Sequence, residues 1–205
     1  MLVISNDCCG GRLYQQTNTQ FNNPFIWMLA DNDSIYYVMN NFEKINWNNY
    51  DFEKSILYPN TFIINVENKI KLHYVHYKFD PNAKSIVQEK KFDKEEHWTG
   101  DVLYCKIWEY IYKKYEERTQ RMLALKEEPM FLLKEESWFN KQMKAKHTLK
   151  DIANCDSKYK RIIVTTDKTI NRNDEICKSI IVNKIDHPLP TIQNNFNVIK
   201  SHFNL

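Results

Sequence analysis

The stretch Leu2-Val3-Ile4-Ser5-Asn6-Asp7-Cys8-Cys9-Gly10-Gly11-Arg12-Leu13-Tyr14-Gln15-Gln16 decides how the rest of the chain is read. Val3 and Ile4 are β-branched and suit a strand, whereas Arg12 to Gln16 suits a helix. The double cysteine and double glycine between them therefore form a tight strand-to-helix turn. The chain has three glycines in 205 residues, and two of them stand here. Glycine has no Cβ and tolerates positive φ, so this pairing marks a place of close backbone approach. Cys8 falls at or just before the helix N-terminus, where unpaired N–H groups and the helix dipole lower a thiol pKa or hold an anion. The plainer reading of the same residues is a small core cysteine, with glycines that let a helix pack closely on a sheet. Neither Gly-x-Gly-x-x-Gly nor a phosphate-loop lysine is present.

Working outward, 205 residues suit one domain spanning 1–205, long enough to bury about 70% of its unfolded surface. A hydrophobic share of 42%, with 11 Phe, 12 Tyr and 5 Trp, argues for a packed core against disorder. The balance of 29 basic and 26 acidic residues is too even for a nucleic-acid binder. No apolar run reaches the ~18–20 residues of a membrane span, and the N-terminus has no signal-peptide pattern, so a cytoplasmic protein without stable membrane insertion is expected. Five cysteines without Cys-x-x-Cys spacing predict free thiols. The six scattered histidines form no ligand-spaced motif, and neither a metal nor a cofactor is expected.

Along the chain, Asn22-Asn23-Pro24-Phe25-Ile26-Trp27 predicts a short helix from the proline, and Asp33 a cap for an amphipathic helix over 33–44. Ile45 to Tyr58 reads as a polar connector. Thr61–Val66 and Lys69–Tyr77 read as strands joined by a two-residue turn at Glu67-Asn68. Alternation in the second puts Ile70, Leu72, Tyr74 and His76 on one face. A turn at Asp80–Ala83 and a charged loop to Glu96 follow. A long helix runs over 102–126, with Arg118 and Arg121 on neighbouring positions of one face, as either favourable last-turn charges or an anion site. Beyond it come a strand at 129–133, a helix from Ser137 through about Ile152, strands at 161–166 and 179–182, a stop at His187–Pro190 and a helix from Thr191. The alternation argues for an α/β fold, with a mixed β-sheet flanked by helices, because the 61–77 hairpin is antiparallel.

The signature Ile4-Ser5-Asn6-Asp7-Cys8-Cys9-Gly10-Gly11-Arg12-Leu13-Tyr14 resembles the opening Asn-Cys-Trp-Gly-Gly…Tyr of a bacterial exopolysaccharide-biosynthesis-associated family of unknown function (DUF1919). Asn23-Pro24-Phe25, Leu72–Tyr77, Tyr115–Met122 and Arg161–Thr166 with Lys178-Ser179 fit that family's later segments. Cys9 and Tyr115 replace its Trp residues, and Lys134-Glu135-Glu136 replaces its Thr-Asp-Arg-Asp. The resemblance implies a place in polysaccharide or capsule synthesis, with polysaccharide-assembly proteins as partners, and marks Asn6 and Tyr14 as part of the binding set. A more distant likeness, to papain-like cysteine hydrolases, implies Cys8 as nucleophile, His76 as base, and Glu135 or Asp167 as the residue orienting that histidine.

Two functions follow. In an acyl-transfer hydrolase or transferase acting on a glycan precursor, Cys8 attacks and His76 carries the proton. The Cys9, Gly10 and Gly11 amides hold the oxyanion, and Arg12, Arg118 and Arg121 take an anionic group. In a sugar-phosphate or nucleotide-sugar binding protein or transferase, the Gly10-Gly11-Arg12 helix start cradles the phosphate and the cysteines are structural.

Overall fold

The computed structural model describes residues 1–55, 57, 62–74, 100–185 and 188–205; at 54, 100–108, 188 and 189 it describes the backbone alone. Four parallel strands, β1 (Val3–Ser5), β6 (Met130–Lys134), β7 (Arg161–Thr165) and β8 (Cys177–Ile181), lie in that order in one sheet. Four antiparallel strands, β2 (Leu29–Ala30), β3 (Tyr50–Lys54), β4 (Phe62–Val66) and β5 (Ile70–Tyr74), form a second sheet in the order β2-β5-β4-β3. The α/β expectation holds, with parallel and antiparallel strands in two sheets in place of one mixed sheet.

Period-2 alternation explains why the parallel sheet is covered on both faces. Val3, Leu132, Ile162 and Val164 point into one apolar cluster, with Cys9, Leu13 and Tyr14 of helix α1 (Cys9–Gln16) and Ile192, Ile199 and Phe203 of helix α6 (Pro188–Phe203). Leu2, Ile4, Phe131, Leu133 and Ile163 point into the other. That cluster also holds Phe62, Ile64, Ile70, Leu72 and Tyr74 of the antiparallel sheet, Ile35, Val38 and Met39 of helix α2 (Asn32–Asn41), and Ile111, Tyr115 and Met122 of helix α3 (Gly100–Leu125). The hairpin turn is as expected, with Glu67 and Asn68 both at positive φ, 54° and 55°.

Several elements differ from expectation for local reasons. Residues 24–27 make turns in place of a helix; Trp27 takes φ 64°, and Leu29–Ala30 is already a strand. The 45–58 connector contains β3, whose Tyr50 and Phe52 alternate with charged residues and pair with β4. The helix expected over 137–152 is two, α4 (Ser137–Met143) and α5 (Leu149–Asn154). Lys144 at φ 55° ends the first, and a Thr148–Asp151 capping box starts the second. Asp31 caps α2, accepting from Ser34 N, so Asp33 is released for another task. Helix α6 begins at Pro188, using the proline as a first-turn residue where a stop was expected. The turn at 80–83, the loop to 96 and His187 lie outside the described residues.

Candidate functional site

The strand-to-helix turn forms as expected, but its interior is filled by the chain itself. A Cβ built on Gly10 would meet Ser5 Cβ at 2.8 Å, and one on Gly11 the Trp27 ring at 2.8–3.0 Å. Both glycines therefore serve close packing of α1 on β1 and on the 21–28 loop. Asp7 occupies the helix start. Its Oδ1 accepts from Cys9 N at 2.8 Å and from Ser5 Oγ at 3.1 Å, so the chain supplies its own anion there. Burial, with Asp7 as the next contributor, pushes the Cys8 thiol up to about 12, opposite to the lowering expected of a helix N-terminus. The four cysteines with described side chains form no disulfide with one another.

Four of the expected binding residues also work within the fold. Tyr14 is buried, its hydroxyl accepting from Val3 N at 2.9 Å and donating to Asn22. Arg118 Nη1 donates to Ile26 O, and Arg121 Nη1 to Phe21 O, both at 2.8 Å, so the pair secures the 21–26 loop. Arg12 lies over the Trp27 ring at 5.1 Å and donates to Gln15 Oε1 at 3.0 Å.

The carboxyl ends of β1, β6 and β7 come together along one edge. Asn6 extends the β1–β6 pairing with its side chain, donating to Lys134 O at 2.7 Å and accepting from Lys134 N at 2.9 Å. Lys134 Nζ sits 2.9 Å from both Asp7 Oδ2 and Glu136 Oε1. Burial works against its charge, yet the two carboxylates hold its pKa above the ordinary lysine value. Glu135 Oε2 ties β6 to β7, accepting from Thr165 Oγ1 and Thr166 N at 2.8 Å and from Thr166 Oγ1 at 2.9 Å. Burial raises a carboxyl, but these donors outweigh it and hold Glu135 below its usual range, whereas burial pushes Glu136 up despite Lys134. Asp167 accepts from Thr169 N at 2.8 Å, which holds it low. His76 lies outside the described residues.

Beside this edge opens a cavity of about 600 Å³. The ends of β6 and β7 contribute Glu135, Glu136, Thr165 and Asp167. The α4–α5 segment contributes Asn140, His147, Thr148 and three exposed lysines, Lys141, Lys144 and Lys150. A crevice outside the carboxyl ends of parallel strands is where open α/β folds take ligands. Cys8, Gly10, Gly11 and Arg12 are not among its walls, whereas the expected Glu135 and Asp167 are.

Sequence reading missed a pair in this cavity's neighbourhood. Asp33 Oδ1 lies 2.8 Å from His147 Nδ1 and accepts from His147 N at 2.8 Å, and Asp33 also accepts from Lys146 N at 2.9 Å. The two residues are separated by 114 positions, so no local pattern joins them. The one available signal was Asp31, an equally good cap that frees Asp33.

Among the described residues, no group of three or more His, Cys, Asp or Glu side chains is arranged to hold a metal ion. None of the described helices is long and apolar enough to cross a membrane. No curated protein matches the chain. Residues 1–99, from β1 to the approach to α3, are similar to a family described as a domain of unknown function, DUF1919.

Proposed function

We propose that the chain binds a phosphorylated sugar, as a sugar phosphate or nucleotide sugar, in the cavity at the carboxyl ends of β6 and β7, and acts as a transferase of surface-glycan synthesis. The observation that carries this reading is the division of charge around one cavity. Carboxylates and a hydroxyl (Glu136, Asp167, Thr165) are on the strand side, and Lys141, Lys144 and Lys150 are on the α4–α5 side. Sugar hydroxyls donate to carboxylates and amides, while a phosphate dianion pairs with ammonium groups. The anion site expected at Gly10-Gly11-Arg12 thus moves to the lysines, because Asp7 already fills the helix start. The likeness of the N-terminal signature to an exopolysaccharide-associated family supports the glycan side of the proposal.

Acyl transfer by Cys8 draws less support. A thiol held up to about 12 is protonated at neutral pH, and the Cys9 amide of the supposed oxyanion hole is engaged by Asp7.

Calorimetric titration with glucose 1-phosphate and uridine diphosphate glucose tests the reading, with free glucose as control. The phosphorylated ligands should bind and glucose should not. Lys141, Lys144 and Lys150 are exposed, so replacing all three with Ala should leave the fold intact and weaken binding by about tenfold or more, ~1.4 kcal/mol. Equal binding by the triple variant would remove the proposal.

A further inference from the structure

We propose that Asp33 and His147 form the proton-accepting dyad of this cavity, with His147 as the base that activates the acceptor hydroxyl and Asp33 as its positioning residue. The proposal rests on the phosphosugar reading of the same cavity and adds the residue that performs the transfer step.

Three constraints hold the imidazole. Its Nδ1 is 2.8 Å from Asp33 Oδ1. Its ring stacks on Tyr36 at 3.9 Å between centroids and 11° between planes. Its backbone is tied to α2, where His147 N donates to Asp33 and Asn32 Nδ2 donates to His147 O at 3.1 Å. Asn32 N in turn donates to Asn140 Oδ1 at 2.7 Å, and Asn32, Asn140 and His147 all line the cavity. A carboxylate on Nδ1 selects the tautomer with the proton on that nitrogen, which leaves the lone pair on Nε2. Among the described residues Nε2 has no hydrogen-bond partner, and the side chain is 38% exposed, open to a ligand. Stacking and a fixed tautomer are what a general base requires before substrate arrives.

In the step, Nε2 takes the proton of the acceptor hydroxyl while that oxygen forms a bond to the anomeric carbon of the donor sugar. The bond from that carbon to the phosphate oxygen breaks, and its electron pair leaves with the phosphate, toward Lys141, Lys144 and Lys150. The imidazolium is stabilised by Asp33 and passes its proton to solvent. No further reactant is needed.

The test combines imidazole NMR on the whole chain with binding and turnover of uridine diphosphate glucose, read as nucleotide released when glucose is transferred to a glucoside acceptor. In wild type, His147 should show the Nδ1–H tautomer when neutral, and Asp33→Ala should lose that preference. His147→Gln should bind the donor as wild type does, yet turn over about 10²–10⁴-fold more slowly. Asp33→Ala should lower kcat with KM for the donor little changed, and Asp33→Glu should recover part of it. An Nε2–H tautomer in wild type overturns the dyad whatever binds, and so does undiminished turnover by His147→Gln. Donor binding without that loss overturns the dyad while leaving the cavity reading intact. Failure of wild type to bind the phosphorylated sugars overturns both.

Discussion

The ammonium of Lys134, the last residue of β6, lies 2.9 Å from Asp7 Oδ2, two residues past the end of β1, and both side chains are almost fully buried. This pair, extended by Glu136 at 2.9 Å, joins two neighbouring strands at the edge where the cavity opens. A buried ion pair adds little over an apolar one, but removing a single partner strands a charge. It therefore positions Glu136 and the strand ends more than it stabilises the fold.

Replacing Lys134 with Met leaves Asp7 buried without its cation, and should lower unfolding free energy by about 3–5 kcal/mol in urea melts. The double variant Lys134→Met with Asp7→Asn should recover a large part of that loss. An additive double variant would contradict the coupling.

Gly11→Ala drives a methyl against the Trp27 ring at 2.8–3.0 Å, and should destabilise by about 1–3 kcal/mol. Adding Trp27→Leu makes room, so the pair should cost less than the sum of the two single changes. A neutral Gly11→Ala would mean that the loop yields freely.

Cys8 should resist alkylation. With its thiol pushed up to about 12, iodoacetamide labelling at pH 7–8 should be far slower than that of a free thiol of pKa about 8.5, and should climb only in strong alkali. Cys8→Ser should keep fold and ligand binding. Fast labelling at neutral pH would return the nucleophile reading to first place.

His73 is fully buried against Phe139, and neither ring nitrogen has a hydrogen-bond partner among the described residues. Burial, aided by Lys71, lowers its pKa to about 4, against about 6.5 in the unfolded chain. The stability that comes from keeping it neutral is present above pH 6.5 and is lost as pH falls toward 4, by up to ~1.4 kcal/mol per pH unit. Unfolding midpoints of wild type should therefore drop between pH 7 and 5 more steeply than those of His73→Leu. Parallel curves would contradict this.

What could be read in the sequence was local. Val3–Ile4, the 161–165 run and the Glu67-Asn68 turn announce their structure through β-branching, alternation and turn chemistry, and each appears where expected. The Thr148-x-x-Asp151 box was also legible, and reading it would have split the 137–152 helix. Tyr50 to Lys54 hid as a strand because two aromatic residues alternating with charge look equally like a connector. Site residues were least legible, since their roles come from distant partners. Arg118 and Arg121 look like anion ligands until the carbonyls of Ile26 and Phe21 are seen to accept their hydrogen bonds. Glu135 and Asp167, expected to orient His76, stand at the strand ends and line the cavity, while His76 itself lies outside the described residues.

The most direct measurement is a backbone amide NMR titration of the full chain with glucose 1-phosphate and uridine diphosphate glucose. The account predicts shifts concentrated on Asn140, Lys144, His147, Thr148 and Thr165 around the cavity. Shifts centred on Cys9 to Arg12 instead would place the ligand at the helix start and contradict it.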